Sequence, residues 1–233
     1  MARAVVTGAS SGIGEAIANK LISMDYIVEG VGRNFKENIP FKKHICDLRN
    51  AKEIEKLSYV LLQEGGVDLL VNCAGLGYFM PHEELNITQI SELLHVNLHA
   101  PIILTNLLLR SLKKTDGTII NITSIEAIKT SRNSALYSAS KAGLRHFSQT
   151  LFEELRKSGV SVVSINPDMT KTPFFDSQRF EPEDSELTRM LPETVADSIE
   201  YILNLPNGTV ISDLTIRPQK VGIKKKINNK RVI

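Results

Sequence analysis

Short runs of apolar and β-branched residues alternate along this chain with longer stretches in which apolar positions recur at helical spacing. The short runs are RAVVT, YIVEGVG, KHICD, VDLLVNCAG, GTIINITS, VSVVSINP and VISDLTI. The longer ones extend from Ser11 to Met24, Ala51 to Glu64, Thr88 to Leu112, Ser134 to Lys157 and Glu193 to Leu203. Seven strands separated by about five helices predict a parallel sheet covered on both faces, a doubly wound α/β fold. VDLLV and VSVVSI lack polar alternation, as strands buried on both sides do, although a buried helical segment has the same signature. One long irregular stretch, Thr172 to Pro192, follows the sixth strand. Ligands of open parallel sheets bind beyond the carboxyl ends of the strands, where such an insertion forms a lid; an ordinary surface loop is the alternative.

Composition narrows this picture. A chain of 233 residues that is 42% hydrophobic and 23% charged buries a full core, and no linker divides it, so residues 1–218 are expected to form one domain. The net charge of +2 gives no strong field toward nucleic acid or an anionic membrane. The charge is nevertheless uneven. Lys220, Lys224, Lys225, Lys226, Lys230 and Arg231 leave the end of the chain, residues 219–233, basic and without an acid. Such a tail invites nucleic acid or a membrane surface, but it has no aromatics and no amphipathic period, and a solvated tail is the simpler reading. Cys46 and Cys73 are too few for a disulfide framework, the amino terminus has no signal-peptide core, and no apolar run approaches ~20 residues. A soluble cytoplasmic protein is expected.

The segment VVTGASSGIGEAI leads from the first strand through three glycines into a helix. Gly8 permits the tight exit from the strand, Gly12 lets the backbone approach a pyrophosphate, and Gly14 allows close packing of helix on sheet. Ser10 or Ser11 is expected to cap the helix, whose free N–H groups and dipole favour phosphate. An NAD site usually carries an acid at the end of the second strand, but here that strand ends in Gly32 and Arg33. A guanidinium suits a ribose 2′-phosphate, so NADP is expected rather than NAD; a solvated loop arginine is the alternative. Glu29 in the same strand has no evident role.

Tyr137 and Lys141 are spaced one helical turn apart among small residues, SALYSASKAGL. A nearby ammonium favours the phenolate, so the lysine can tune the tyrosine as a proton donor to an oxygen that becomes negative during hydride transfer. Ser124, at the end of the fifth strand, offers a hydroxyl to that oxygen, and Asn97, in an apolar helix, is placed to hold a water linking Lys141 to solvent. Singly, each has a plainer explanation: a chance spacing, a cap, a bond to a neighbouring carbonyl.

Together these residues resemble the short-chain dehydrogenases/reductases, from about Arg3 to Pro218. TGASSGIG is similar to the family's nucleotide loop, and CDL, with Asp47, resembles its adenine-contacting segment. NCAG, Asn72 to Gly75, resembles its Asn-Asn-Ala-Gly motif with Cys73 in place of the second asparagine. Ser124 precedes Tyr137 by 13 residues, as in the family, and NPDMTKTPF is similar to its Pro-Gly motif, with Asp168 replacing the glycine. The resemblance implies a single-domain Rossmann fold and a catalytic set of Asn97, Ser124, Tyr137 and Lys141. Tyr137 is the implied general acid or base, and Lys141 the residue that lowers its pKa and binds ribose. The implied cofactor-binding set adds Ile13, Leu48, Ala74, Pro167, Thr170 and Thr172 to the residues already named. It further implies homodimers or homotetramers through the helices carrying Asn97 and Tyr137, for which Ile102, Leu104, Leu107 and Leu108 offer an apolar stripe that core packing explains equally well.

The function expected is NADP-dependent hydride transfer between nicotinamide and a small-molecule carbonyl or secondary alcohol. A 3-oxoacyl reductase of fatty-acid type is an alternative, though the chain lacks the Gly-rich finish of those enzymes; a cofactor-bound sensor without turnover is another. Leu76, Tyr78, Phe79, Ile125, Met169, Phe174 and Phe175 are candidates for an apolar substrate pocket. No histidine has metal-ligand spacing to acids or cysteines, and no metal site is expected.

Overall fold

The computed structural model describes residues 1–226. Seven strands form one parallel sheet: β1 (Arg3–Thr7), β2 (Ile27–Gly32), β3 (Lys42–Ile45), β4 (Leu69–Asn72), β5 (Thr118–Ile122), β6 (Ser161–Pro167) and β8 (Asp213–Ile216). Their order is β3-β2-β1-β4-β5-β6-β8, the Rossmann arrangement. The winding reverses beside β1, which opens a crevice between the carboxyl ends of β1 and β4. A separate antiparallel pair joins β7 (Phe180–Pro182) to β9 (Ile223–Lys225).

Side chains alternate across each strand, and each face of the sheet therefore feeds its own core. Ala4 and Val6 of β1 pack with Ile17 and Leu21 of α1 (Gly12–Ser23) and Ile199 and Ile202 of α6 (Pro192–Leu203). Val5 points the other way. It joins Ile54 and Leu61 of α2 (Ala51–Gln63), Leu104 and Leu108 of α4 (Ala100–Leu112) and Leu151 of α5 (Ala135–Leu155). Local signals set the helix starts. The Asn50 side chain accepts from Lys52 N–H at α2, Asn86 and Gln89 form a reciprocal capping box at α3 (Ile87–Leu94), and Pro192 opens α6.

Four sequence expectations change here. The single helix expected from Thr88 to Leu112 is α3 and α4 joined by a widened π turn, His95–His99. The combined run, Ile87–Leu112, is long and apolar enough to cross a membrane, which the sequence reading overlooked. Burial accounts for part of this apolarity: less than half of its most apolar window is buried, with Leu93, Leu104, Leu108 and Leu112 fully enclosed. The same burial removes Leu104 and Leu108 from the stripe proposed for self-association, leaving Ile102 and Leu107 partly exposed. The basic tail is built into the fold as far as Lys226. Lys220 N–H donates to Leu187 O (2.7 Å), Glu183 N–H to Gly222 O (3.2 Å) and Lys226 N–H to Arg179 O (2.9 Å), so the lid segment gains a second strand from the end of the chain. Lys230 and Arg231 lie outside the described residues.

Glu29, without a role in the sequence, is the hub of a buried charge cluster and is only 2% exposed. Its carboxylate accepts from Arg3 of β1 and lies 2.6 Å from His44 Nε2 of β3, while Arg3 and Lys42 also reach Glu64 at the end of α2. Glu29, His44 and Glu64 bring ligand-type atoms within 4.8 Å of one another, but Arg3 and Lys42 already supply the positive charge there. Replacing Glu29 by Ala leaves the part-buried Arg3 with only Glu64, at 3.4 Å, as an ionic partner. Urea unfolding of Glu29→Ala is expected to show a loss of about 3 kcal/mol.

Candidate active site

A cleft of about 1080 Å³ opens at the carboxyl ends of the strands. At one end lies the glycine loop. Gly8 has φ +71°, and a β-carbon on it would lie 2.9 Å from Ala74 Cα. Gly12 has φ +57°, and a β-carbon on it would lie 3.2 Å from the Thr172 side chain, which overhangs the loop. Gly14 faces Gly8 O too closely for any side chain. Ser11 occupies the N-cap position of α1, but neither it nor Ser10 supplies the expected capping bond. The first N–H groups of the helix therefore remain open to the cleft, together with both hydroxyls. Thr7, which sequence reasoning passed over, ties this loop to the neighbouring one: its Oγ1 accepts from Cys73 N–H (3.0 Å) and Ala74 N–H (3.1 Å).

Ser124 and Tyr137 face one another at the cleft's centre. Ser124 leaves β5 in an extended conformation and caps a short turn, its Oγ accepting from Glu126 N–H at 3.2 Å. The Ser124 hydroxyl lies near enough to the Tyr137 phenol to favour its ionised form. Lys141 Nζ donates to Ile122 O at 2.9 Å and lies 6.0 Å from the Tyr137 ring centroid. Burial dominates both titrations. It pushes Tyr137 up to about 12, against the lowering effect of Ser124, and pushes Lys141 down to about 8. Ser124, not Lys141, is the group that lowers the tyrosine, and the lowering expected from the lysine does not appear in the protein alone.

Asn97 sits in the π turn and is fully buried. Its Oδ1 accepts from Leu76 N–H (2.7 Å), and its Nδ2 donates to Leu76 O (2.8 Å) and Ser140 Oγ (3.1 Å). A β-carbon on Gly75 would stand in ordinary contact with Lys141 Nζ (3.5 Å) and Asn97 Oδ1 (3.6 Å), so these two groups flank one space beside the glycine. Glu126, also missed, anchors the loop before α5 by accepting from Ser131, Ser134 and Ser138. Three serines spaced around one acid were its signal.

Comparison with known proteins turns on the whole chain. Residues 2–183 match the short chain dehydrogenase family. The chain belongs to that family. A relative from Staphylococcus epidermidis, described as an uncharacterized oxidoreductase, is 33% identical over 225 residues, covering 92% of this chain and 96% of its own. An alcohol dehydrogenase from the archaeon Thermococcus sibiricus, solved with 5-hydroxy-NADP, superposes with a TM-score of 0.83 at 28% identity, covering 94% and 97% of the two chains. A 4-hydroxyisoleucine dehydrogenase solved with NADH gives 0.82 at 27% identity with the same coverage. The protein is therefore an oxidoreductase of the short chain dehydrogenase family, and solved neighbours carry nicotinamide cofactors.

Most residues implied by the family motifs line this short chain dehydrogenase cleft, from Ile13 and Arg33 through Asp47 and Leu48 to Ala74, Pro167 and Thr170. Asn72 is a departure. It is 2% exposed and lies beneath the cleft floor, donating to Asn121 Oδ1 (2.8 Å), whose own amide reaches Ser148 of α5 (2.8 Å). Asp47 is also committed, its carboxylate gripped by Arg49, which holds it below the usual carboxylate range. Asp168, in place of the motif glycine, accepts from Arg217 Nε (2.9 Å) and from Met169 N–H (2.9 Å). At the other end, Phe79 and Phe174 stand 5.0 and 5.9 Å from the Tyr137 ring, and Phe180 stands 5.2 Å from Phe79. All seven apolar pocket candidates line the cleft.

The lowered Lys141 pKa has a consequence for stability. Between its folded value of about 8 and its ordinary 10.5, the unfolded chain holds a proton that the folded one releases. Stability therefore rises with pH through that window. Relative to Lys141→Met, the wild-type unfolding free energy is expected to climb by about 3 kcal/mol from pH 8 to 10.5 in urea titrations.

Proposed function

We propose that this protein is an NADP-dependent oxidoreductase that interconverts a carbonyl compound and a secondary alcohol, with Tyr137 as general acid in reduction and general base in oxidation. The observation that carries it is the convergence of Ser124, Tyr137 and Lys141 at the centre of a cleft whose far end is a glycine-bounded phosphate cradle. A side chain at Gly8, Gly12 or Gly14 would fill that cradle, which fits the close approach of a dinucleotide. Bound there, the nicotinamide supplies or accepts the hydride. Ser124 donates to the substrate oxygen and holds it beside the phenol. Tyr137, raised by burial, arrives protonated and gives its proton to that oxygen as negative charge develops. The Lys141 ammonium, fixed by Ile122 O, stabilises the phenolate left behind. Asn97 positions Leu76 and Ser140 around the lysine.

The reading of NADP over NAD rests on Arg33. It is exposed at the end of β2, lines the cleft, and has no ion-pair partner among the described residues, whereas neighbouring Arg49 is occupied by Asp47 and Glu92. Self-association through α4 and α5 and a reducing cytoplasmic setting, consistent with two free thiols, belong to the same proposal.

Absorbance at the reduced-nicotinamide band tests the reading. NADPH oxidation against a panel of ketones and aldehydes is expected to fall about 10³-fold in Tyr137→Phe with nucleotide binding retained. Arg33→Asp is expected to shift the NADPH/NADH preference roughly 30-fold toward NADH. Wild-type turnover that survives Tyr137→Phe would exclude Tyr137 as the proton donor, and an unchanged preference in Arg33→Asp would remove the basis for NADP.

A further inference from the structure

We infer that the substrate is an anionic carbonyl compound, its apolar body lying along the aromatic wall and its carboxylate or phosphate held by Lys220, Lys225 and Arg132 at the mouth of the cleft. This rests on the oxidoreductase reading and adds the substrate's chemical class to it.

Charge is the first observation. Eight cationic side chains line the cleft against three acids, Asp47, Glu126 and Asp168. Each acid is already engaged, by Arg49, by Lys129 with three serines, and by Arg217. Lys141 serves the reacting centre, and Arg33 and Arg49 lie beside the glycine loop and Asp47. Lys129 is taken by Glu126 and Arg179 by Glu84 (3.5 Å), so Lys220, Lys225 and Arg132 remain, all exposed and without an ion-pair partner among the described residues. Like charges gathered unpaired around a concave surface repel one another, and a bound anion relieves this.

Strand geometry is the second, independent observation. In the β7–β9 pair, Phe180 opposes Lys225, Glu181 opposes Lys224 and Pro182 opposes Ile223. Directly opposed residues of an antiparallel pair share a face, and the faces alternate. Phe180, Ile223 and Lys225 accordingly line the cleft, whereas Glu181 and Lys224 do not and instead pair with each other at 4.0 Å. The ribbon thus spends its acid on the outer lysine and turns an unpaired lysine inward. Lys226 Nζ clamps the ribbon to Phe175 O and Asp176 O.

The apolar part follows from what lies between the charge and the chemistry. From Tyr137 the wall runs through Phe79 to Phe180, a path of roughly 10 Å measured over ring centroids, before Lys225 is reached. Val221 and Ile223, 76% and 52% exposed, continue that apolar surface beside the lysines. A small α-keto acid keeps its charge beside its carbonyl, whereas a longer amphipathic substrate can place its carbonyl at Tyr137 and its charge at the lid.

Two readouts test this with para-acetylphenylpropanoate, its uncharged methyl ester and para-acetylphenethyl phosphate. The first is calorimetric binding to the full chain, which needs no turnover. The anionic probes are expected to bind at least 10-fold more tightly than the ester, and Lys220→Gln/Lys225→Gln to abolish that difference while leaving ester binding unchanged. Lys224→Gln, on the outer face of the same strand, is expected to change nothing. The two anions, compared with each other, identify which source of charge the mouth prefers. Equal binding of ester and anions, or an equal effect of Lys224→Gln, overturns the proposal. The second readout is NADPH oxidation with the same compounds. Anion-dependent binding without turnover leaves the anion site standing and removes the reductase reading, whereas turnover indifferent to charge does the reverse.

Discussion

The arrangement of the site depends on a lysine kept out of water. Lys141 sits at 4% exposure at the carboxyl end of the sheet, with a strand carbonyl as its hydrogen-bond acceptor. Desolvation acts on it and on the adjacent phenol alike, favouring the neutral form of each and so moving the two groups apart on the pH scale. Such a placement requires a narrow α5 and a helix that turns inward at Asn97. The π turn meets the last requirement, because one extra residue per turn redirects a polar side chain inside an otherwise apolar helix. Beneath the lysine, the amides of Asn72 and Asn121 and the hydroxyl of Ser148 lock β4, β5 and α5 together. The chemistry is thus supported by polar bonds inside the core as much as by apolar packing.

Much of this architecture was readable in the sequence because burial on both faces leaves an uninterrupted apolar signature. β4 and β6 were found that way, and the glycine loop was found because its backbone demands residues without side chains. The π turn could not be read, since five residues of altered hydrogen bonding leave the apolar pattern of Thr88 to Leu112 intact. Asn72 looked like a ligand because the motif records its identity and not its direction. Glu29 had no meaning until its neighbours arrived from β1, β3 and α2, all distant in sequence. The lysine-rich end looked solvated because β9 is three residues long and its partner lies inside an irregular loop.

The two ends of the cleft use positive charge differently. At the glycine loop, backbone N–H groups and a helix end present fixed partial charges that need no side-chain ordering. At the lid, full charges ride on flexible lysine stems attached to a short ribbon. The first suits a ligand of constant shape, and the second tolerates variation in length and position. A shared scaffold can therefore keep its nucleotide chemistry while its outer loops diversify.

The lid's dependence on β9 also orders its assembly. As the chain is made from its amino end, every strand of the main sheet leaves the ribosome before residues 223–225. Phe180 to Pro182 must wait through some forty residues of further synthesis for their partner. A nascent molecule can thus complete its sheet and its nucleotide cradle while its aromatic pocket is still unroofed.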